Sequence, residues 1–257
     1  MYPIVEVFGI KFGSYGIMMM LGILLAVILS FRRARKFGVN PYDVIVIGAV
    51  GLLCGLLGAK LLYIFVTYPF DYIVNSITSG NFDFITGGGL VFYGGIIGGI
   101  IGALVAAYFI KQPMAPFEAT VVPFLPLAHA LGRIGCLLGG CCHGMPYEGP
   151  LAVYYPNSLQ GLPADQGYFP VQPVEALWDV LLCLILLWAA KKPRRKLSML
   201  AFYMCLYAVG RFTLEYFRGD EIRGISLNLS TSQWISIGLL VVCVPILVYN
   251  GIKCKKQ

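Results

Sequence analysis

The sequence predicts an all-α integral membrane protein with about seven transmembrane helices, its N-terminus outside and its C-terminus cytoplasmic. Three observations lead there. Of 257 residues, 58% are hydrophobic and only 12% are charged, whereas a soluble domain carries about 25% charged residues. Mean hydropathy is +0.79. The basic residues come in short clusters between apolar runs, as topology signals do. The net charge of +7 is therefore assigned to the membrane. Aromatic interleaving of the kind that binds single strands is absent, so no nucleic-acid partner is expected. One polytopic membrane domain over residues 1–257 is the expected organisation.

Seven apolar runs carry that expectation: roughly 14–31, 44–66, 88–110, 117–140, 173–190, 198–217 and 232–250. Each reaches or nearly reaches the length of a bilayer span. The first begins at Ser14 with only Lys11 as a basic flank and no small-residue cleavage site, so it reads as a retained helix. The fourth and sixth contain arginines and have the least distinct ends.

Basic residues alternate across the connections. Arg32, Arg33, Arg35 and Lys36 follow the first run, Lys111 the third, and Lys191, Lys192, Arg194, Arg195 and Lys196 the fifth. Lys253, Lys255 and Lys256 close the chain, so 13 of 19 basic residues fall on one side. The opposite side holds Lys11, Arg218 and Arg223. The basic side is expected in the cytoplasm, which fits an odd number of spans. Two outer segments are longer. Residues 67–87 hold Tyr68, Phe70, Tyr72, Phe82 and Phe84, suiting a loop or shallow helix in the headgroup belt. Residues 145–170 hold Pro146, Pro150, Pro156 and Pro163 and read as an irregular cap.

The stretch Ala128–Gly144, AHALGRIGCLLGGCCHG, stands out. Within an apolar run it places Arg133, His129, His143, three cysteines and several glycines. An arginine at membrane depth is expensive and marks function by default. Arg133 lies about sixteen residues into the fourth run and Arg211 about thirteen into the sixth. At 1.5 Å per residue both sit roughly 20 to 24 Å above the cytoplasmic edge. Lys60 reaches a similar level, and Tyr15 and Tyr93 start inward-running helices just below the outer surface. Glu215, one turn beyond Arg211, is placed to pair with it. Two guanidinium groups at one depth, with too few buried carboxylates to neutralise them, call for an anionic guest. In the outer leaflet that guest is a phospholipid phosphate, which suits arginine's fork of donors.

Local patterns then resemble the prolipoprotein diacylglyceryl transferase family, in the family's order. They are Ser14-Tyr15-Gly16; Gly58-Ala59-Lys60 to Tyr63; Gly88-Gly89 to Tyr93-Gly94-Gly95; Gly132-Arg133-Ile134-Gly135 with Gly144; Arg211-Phe212 to Glu215 and Arg218; and Ser232-Gln233. The resemblance implies transfer of the diacylglyceryl group of phosphatidylglycerol to the thiol of a lipobox cysteine in a prolipoprotein, at a bacterial cell membrane and without a cofactor. It implies that Arg133 and Arg211 hold the phosphate, with Lys60, Gly94 and Gly95 in the phosphatidylglycerol site. Tyr15 and Glu215 join the catalytic set, and the base comes from Tyr93, His129 or His143. Tyr93 stands where the family often has histidine. Cys136 and Gly139 occupy asparagine positions of the signature, Cys141 its glutamate, and Gln172-Pro173 the region of a His-Pro. A phospholipid-binding or transport protein, or a transferase with another acceptor, is the alternative.

His129, one turn before Arg133, is also readable as a helix-packing residue. For Cys136, Cys141, Cys142 and His143 a metal, a disulfide and plain packing all remain open. Packing leads and no metal is expected, because the chain has no CxxC. Cys54, Cys183, Cys205 and Cys243 lie within apolar runs, where cysteine behaves as a small hydrophobe.

Overall fold

A computed structural model describes all residues except 1, 8, 159, 192–197, 220–224, 227–228 and 256–257. The basic residues Lys192, Arg194, Arg195, Lys196, Arg223 and Lys256 lie outside the described residues.

The chain opens with an antiparallel hairpin of β1 (Ile4–Val7) and β2 (Ile10–Gly13). Buried Ser14 then donates from both its N–H and its hydroxyl to the Pro3 carbonyl as α1 (Ser14–Ala34) begins. Helix α2 (Pro41–Thr67) starts where the Asn40 side chain accepts from the Tyr42 N–H at 3.1 Å, with proline in the first turn. Short helices α3 (Phe70–Thr78) and α4 (Asp83–Thr86) fill the first outer segment. Helix α5 (Phe92–Ile110) ends at Lys111 in the left-handed region. The fourth apolar run is not one continuous α-helix. Pro123 and Pro126 each remove a backbone donor, and the run divides into α6 (Met114–Val121), a 3-10 turn and α7 (Leu125–Gly139). Then come α8 (Val171–Ala189), α9 (Met199–Leu214, capped by Ser198), the minimal hairpin of β3 (Ile225–Ser226) with β4 (Leu229–Ser230), and α10 (Thr231–Lys255).

Six helical stretches among the described residues are long and apolar enough to cross a membrane: Ser14–Phe37, Pro41–Thr67, Tyr93–Ile110, Met114–Gly139, Val171–Ala189 and Thr231–Ile252. The sixth apolar run forms α9, whose 16 residues extend about 24 Å. The third expected span starts later than residue 88, because Gly88 is left-handed and Gly87 to Val91 are not helical.

The chain divides into two compact units, Met1–Arg33 with Glu118–Gln257, and Ala34–Phe117. In the second, α2 and α5 touch through glycines. A Cβ on Gly58 would strike the Gly94 carbonyl, one on Gly94 the Gly58 carbonyl, and one on Gly98 the Cys54 carbonyl. Such close contact between small residues is how apolar helices associate without a hydrophobic driving force. Ile64, Ile73 and Phe84 close a small cluster beneath Tyr63 and Tyr68.

The first unit buries a set of polar residues within an otherwise apolar interior and exposes large apolar ones. Gln172, Glu175, Asp179, Arg211, Ser232, Gln233 and Ser236 are buried, while Leu24, Leu184, Val209 and Val242 are exposed. That arrangement suits hydrocarbon outside and chemistry inside. Residues 145–170 form an irregular cap, as expected. Tyr147 N–H bonds the Gly167 carbonyl at 2.8 Å, and Val153 and Tyr168 exchange backbone bonds. Tyr155 is fully buried and shares two hydrogen bonds with Gln172.

Candidate active site

His129 and Arg133 are one turn apart on α7, and Glu175 and Asp179 one turn apart on α8. Residues four apart share a helix face, so two antiparallel pairs form at once. Arg133 Nε lies 2.9 Å from Glu175 Oε2, and His129 Nδ1 2.9 Å from Asp179 Oδ2. From α9, Arg211 Nη1 reaches Glu175 Oε1 at 3.1 Å. Its Nη2 meets Glu215 Oε2 at 2.6 Å, one turn on as expected, and donates to Ser232 Oγ at 3.0 Å. Arg218 Nη1 lies 3.5 Å from Glu175 Oε1. Three guanidinium groups thus surround one carboxylate.

This corrects the expectation that Arg133 and Arg211 are short of buried carboxylates. Glu175 serves both, Glu215 adds to Arg211, and Asp179 faces His129. With Glu175, Glu215 and Asp179 counted, the three arginines face three carboxylates, His129 being counted as neutral. Removing water from so many charges is costly unless each is matched, and the matching is incomplete. Arg133 Nε and Glu175 Oε2 are in ionic contact without an aligned hydrogen bond. Asp179 Oδ1 and Trp178 Nε1 likewise have no hydrogen-bond partner among the described residues, while Asp179 Oδ2 has His129 Nδ1 at 2.9 Å. All four residues line one small cavity, with Tyr207, Arg211 and Leu214 among its other walls and room for about one water. Buried polar groups in native structures are nearly always satisfied, so a cluster of exceptions around a cavity makes this the candidate site.

The neighbouring motifs converge on this cluster. Tyr15, half exposed, lies against α7, where a Cβ on Gly135 would come within 3.1 Å of its Cα. Gly144 bridges Arg218 in backbone pairing, and a Cβ on Gly144 would collide with the Phe169 carbonyl. His143 stands apart from the carboxylates, with Nδ1 2.9 Å from the Gly144 carbonyl and its ring edge-on to Tyr168. The sulfurs of Cys136, Cys141 and Cys142 lie within 4.8 Å of one another.

Lys60, Tyr93, Gly94 and Gly95 belong to the other unit. There Lys60 Nζ donates to the Gly87 carbonyl and sits 5.1 Å from the Tyr63 ring centroid. Gly88, at φ +80°, leaves the space that the Tyr63 ring fills. Tyr93 is in the first turn of α5 and partly exposed. The two motifs 58–63 and 88–95 thus interlock, and Gly94 has a packing reason of its own.

A family model described as prolipoprotein diacylglyceryl transferase matches residues 3–249. This chain belongs to that family. A relative from Clostridium tetani, named phosphatidylglycerol–prolipoprotein diacylglyceryl transferase, is 38% identical over 252 residues, covering 98% of both chains. A second relative of that name from Clostridium perfringens is 36% identical over 98% of this chain and 96% of its own. One from Dehalococcoides mccartyi is 31% identical over 94% of this chain and 90% of its own. Arg133 and Arg211, the arginines that the resemblance singles out, both meet Glu175, as does Arg218.

In the sequence Glu175 stands out only as a neighbour of Gln172-Pro173, and Asp179 does not stand out at all. The signal was there: two carboxylates four residues apart in a 19-residue apolar helix, each as costly at depth as an arginine. Arg218, counted only among the basic residues opposite the main clusters, joins the cluster through Glu175.

Proposed function

We propose that this multi-pass membrane protein transfers the diacylglyceryl group of phosphatidylglycerol to the lipobox cysteine of a prolipoprotein. The observation that carries the reading is the convergence of Arg133, Arg211 and Arg218 on Glu175, within a chain whose relatives bear that name over their whole length. In the reaction the acceptor thiolate attacks the glyceryl carbon that bears the phosphate. A C–S bond forms, the C–O bond breaks, and glycerol phosphate leaves with the electron pair. Charge then develops on phosphate oxygens, where placed cations lower the barrier.

Glu175 acts as the placeholder for that phosphate. It holds the guanidinium groups converged and prepaid in geometry, and the headgroup displaces it from part of the fork. Glu215 and Ser232 keep Arg211 aimed while this happens. His129 takes the thiol proton, because Asp179 beside Nδ1 leaves Nε2 as the acceptor. Tyr15 lines the headgroup region and His143 serves near the mouth. Within the other unit, Lys60, Tyr93, Gly94 and Gly95 keep the lipid-contacting role that the resemblance implies. The chain forms a single domain in a bacterial cell membrane. Helix α9 is the seventh span, with the N-terminus outside and the C-terminus cytoplasmic.

The test is to incubate the purified protein with phosphatidylglycerol and a lipobox peptide. Lipidated peptide and glycerol phosphate in equal amounts are expected. Cys136, Gly139 and Cys141, in place of the resembling signature's amides and carboxylate, favour one second reading, a different acceptor. Glycerol phosphate released without peptide lipidation would select it, and no release of either product would leave only lipid binding.

A further inference from the structure

The thiols at the end of α7 are unused by the reaction above. We propose that Cys136, Cys141 and Cys142 form a binding site for one soft d10 metal ion, of which Zn²⁺ is the probe. Their three sulfurs already lie within 4.8 Å of one another. Ligands on a common ion at a Zn–S distance of about 2.3 Å stand roughly 3.8 Å apart, so small side-chain rotations complete the site. An all-sulfur donor set selects zinc or monovalent copper over magnesium or calcium.

The backbone is arranged to produce this trio. Cys136 occupies the last turn of α7, and Gly140, at φ +68°, reverses the chain. Cys141 N–H returns to the Cys136 carbonyl at 3.1 Å. Cys142 adopts φ +57°, a region that a residue with a side chain seldom enters. A residue kept only for its small volume would be glycine there, and glycine is plentiful in this stretch. Two anchors hold the loop: Gln172 Nε2 donates to the Cys141 carbonyl at 2.9 Å, and Ser158 Oγ to the Gly140 carbonyl at 3.1 Å.

Three thiolates on Zn²⁺ leave one negative charge. An internal disulfide joins two of the three sulfurs and strands the third, whereas a metal engages all of them. The ion staples the end of α7 and leaves a fourth position for water. This inference stands apart from the transferase reading, since its readouts are metal binding and thiol protection.

The full chain, purified in detergent and stripped with chelator under a phosphine reductant, is dialysed and titrated with Co²⁺. One Co²⁺ per chain is expected, with a sulfur-to-cobalt charge-transfer band that one equivalent of Zn²⁺ abolishes. The triple variant Cys136→Ser, Cys141→Ser, Cys142→Ser is expected to lose affinity by about 100-fold or more, while Cys54→Ser keeps it. Should the triple variant not fold, the parent decides: Zn²⁺ is expected to slow alkylation of these three thiols about tenfold or more, and not that of Cys54. No charge-transfer band, undiminished binding by the triple variant, unprotected thiols, or a disulfide between two of them in the protein as isolated would each overturn the site.

Discussion

Glu175 stands between Arg133 and Arg211, with Oε2 2.9 Å from the Nε of one and Oε1 3.1 Å from the Nη1 of the other. One carboxylate on α8 therefore fixes the spacing of two guanidinium groups carried by α7 and α9. A phosphodiester likewise carries negative charge and can offer two oxygens to such a fork, which is the basis of the proposed headgroup grip.

Glu175→Gln removes the shared charge and leaves three guanidinium groups facing one another. Breaking a buried ion pair on one side costs about 3–5 kcal/mol. Thermal unfolding in detergent is expected to fall accordingly, with transfer activity lost. Unchanged stability would show that the arginines find other partners and that Glu175 is not their hub.

Arg211 uses two nitrogens on three partners, Glu175, Glu215 and Ser232. Lysine offers one point charge and no fork. Arg211→Lys is therefore expected to lower the transfer rate by about 10²–10³, the effect of losing one preorganised donor, with folded yield little changed. Steady-state rates and size-exclusion profiles measured together separate the two effects.

Gly144 lets the chain run against Phe169 while pairing with Arg218. Gly144→Ala forces the backbone apart and carries Arg218 away from Glu175. The change is expected to cost about 1–3 kcal/mol of stability and most of the activity. Circular-dichroism melting beside the transfer assay measures both.

Tyr155 lies in the outer cap, and burial pushes its phenol up to about 12 despite the hydrogen bond to Gln172 that favours ionisation. The unfolded chain ionises this group near pH 10, whereas the folded one keeps its proton. Between these values the unfolded state binds fewer protons, so stability falls as pH rises through that window. Tyr155→Phe is expected to lessen that alkaline slope relative to the parent. It also leaves Gln172 short of a partner, at a cost of about 1–3 kcal/mol near neutrality. Unfolding midpoints at pH 8 and pH 10.5 measure both effects.

Much of the fold was readable because hydrocarbon imposes a simple grammar: long apolar runs become helices and charges mark their ends. Six of the runs form helical stretches of spanning length, and the aromatic 67–87 and proline-rich 145–170 stretches form connections between them. The break at Pro123 and Pro126 was visible as residues but not weighed against an otherwise continuous apolar run. At the site, Arg133, Arg211 and Glu215 were legible because a charge at depth is conspicuous. The role of Glu175 was not, since it depends on α8 lying against α7 in one register, a relation that no local pattern carries. At the thiols a metal and a disulfide stayed open in the sequence. Cys136 and Cys141 are five residues apart, off any common helix face, and Gly140 supplies the turn that brings them together.

The most direct test of the arginine cluster is the single-turnover rate of glycerol phosphate release from phosphatidylglycerol by Arg133→Lys, with lipobox peptide present. The charge is kept and the fork is lost. The rate is expected to drop by about 10²-fold or more in protein that remains folded and membrane-inserted. A variant that turns over as fast as the parent would contradict the claim that Arg133 grips the phosphate.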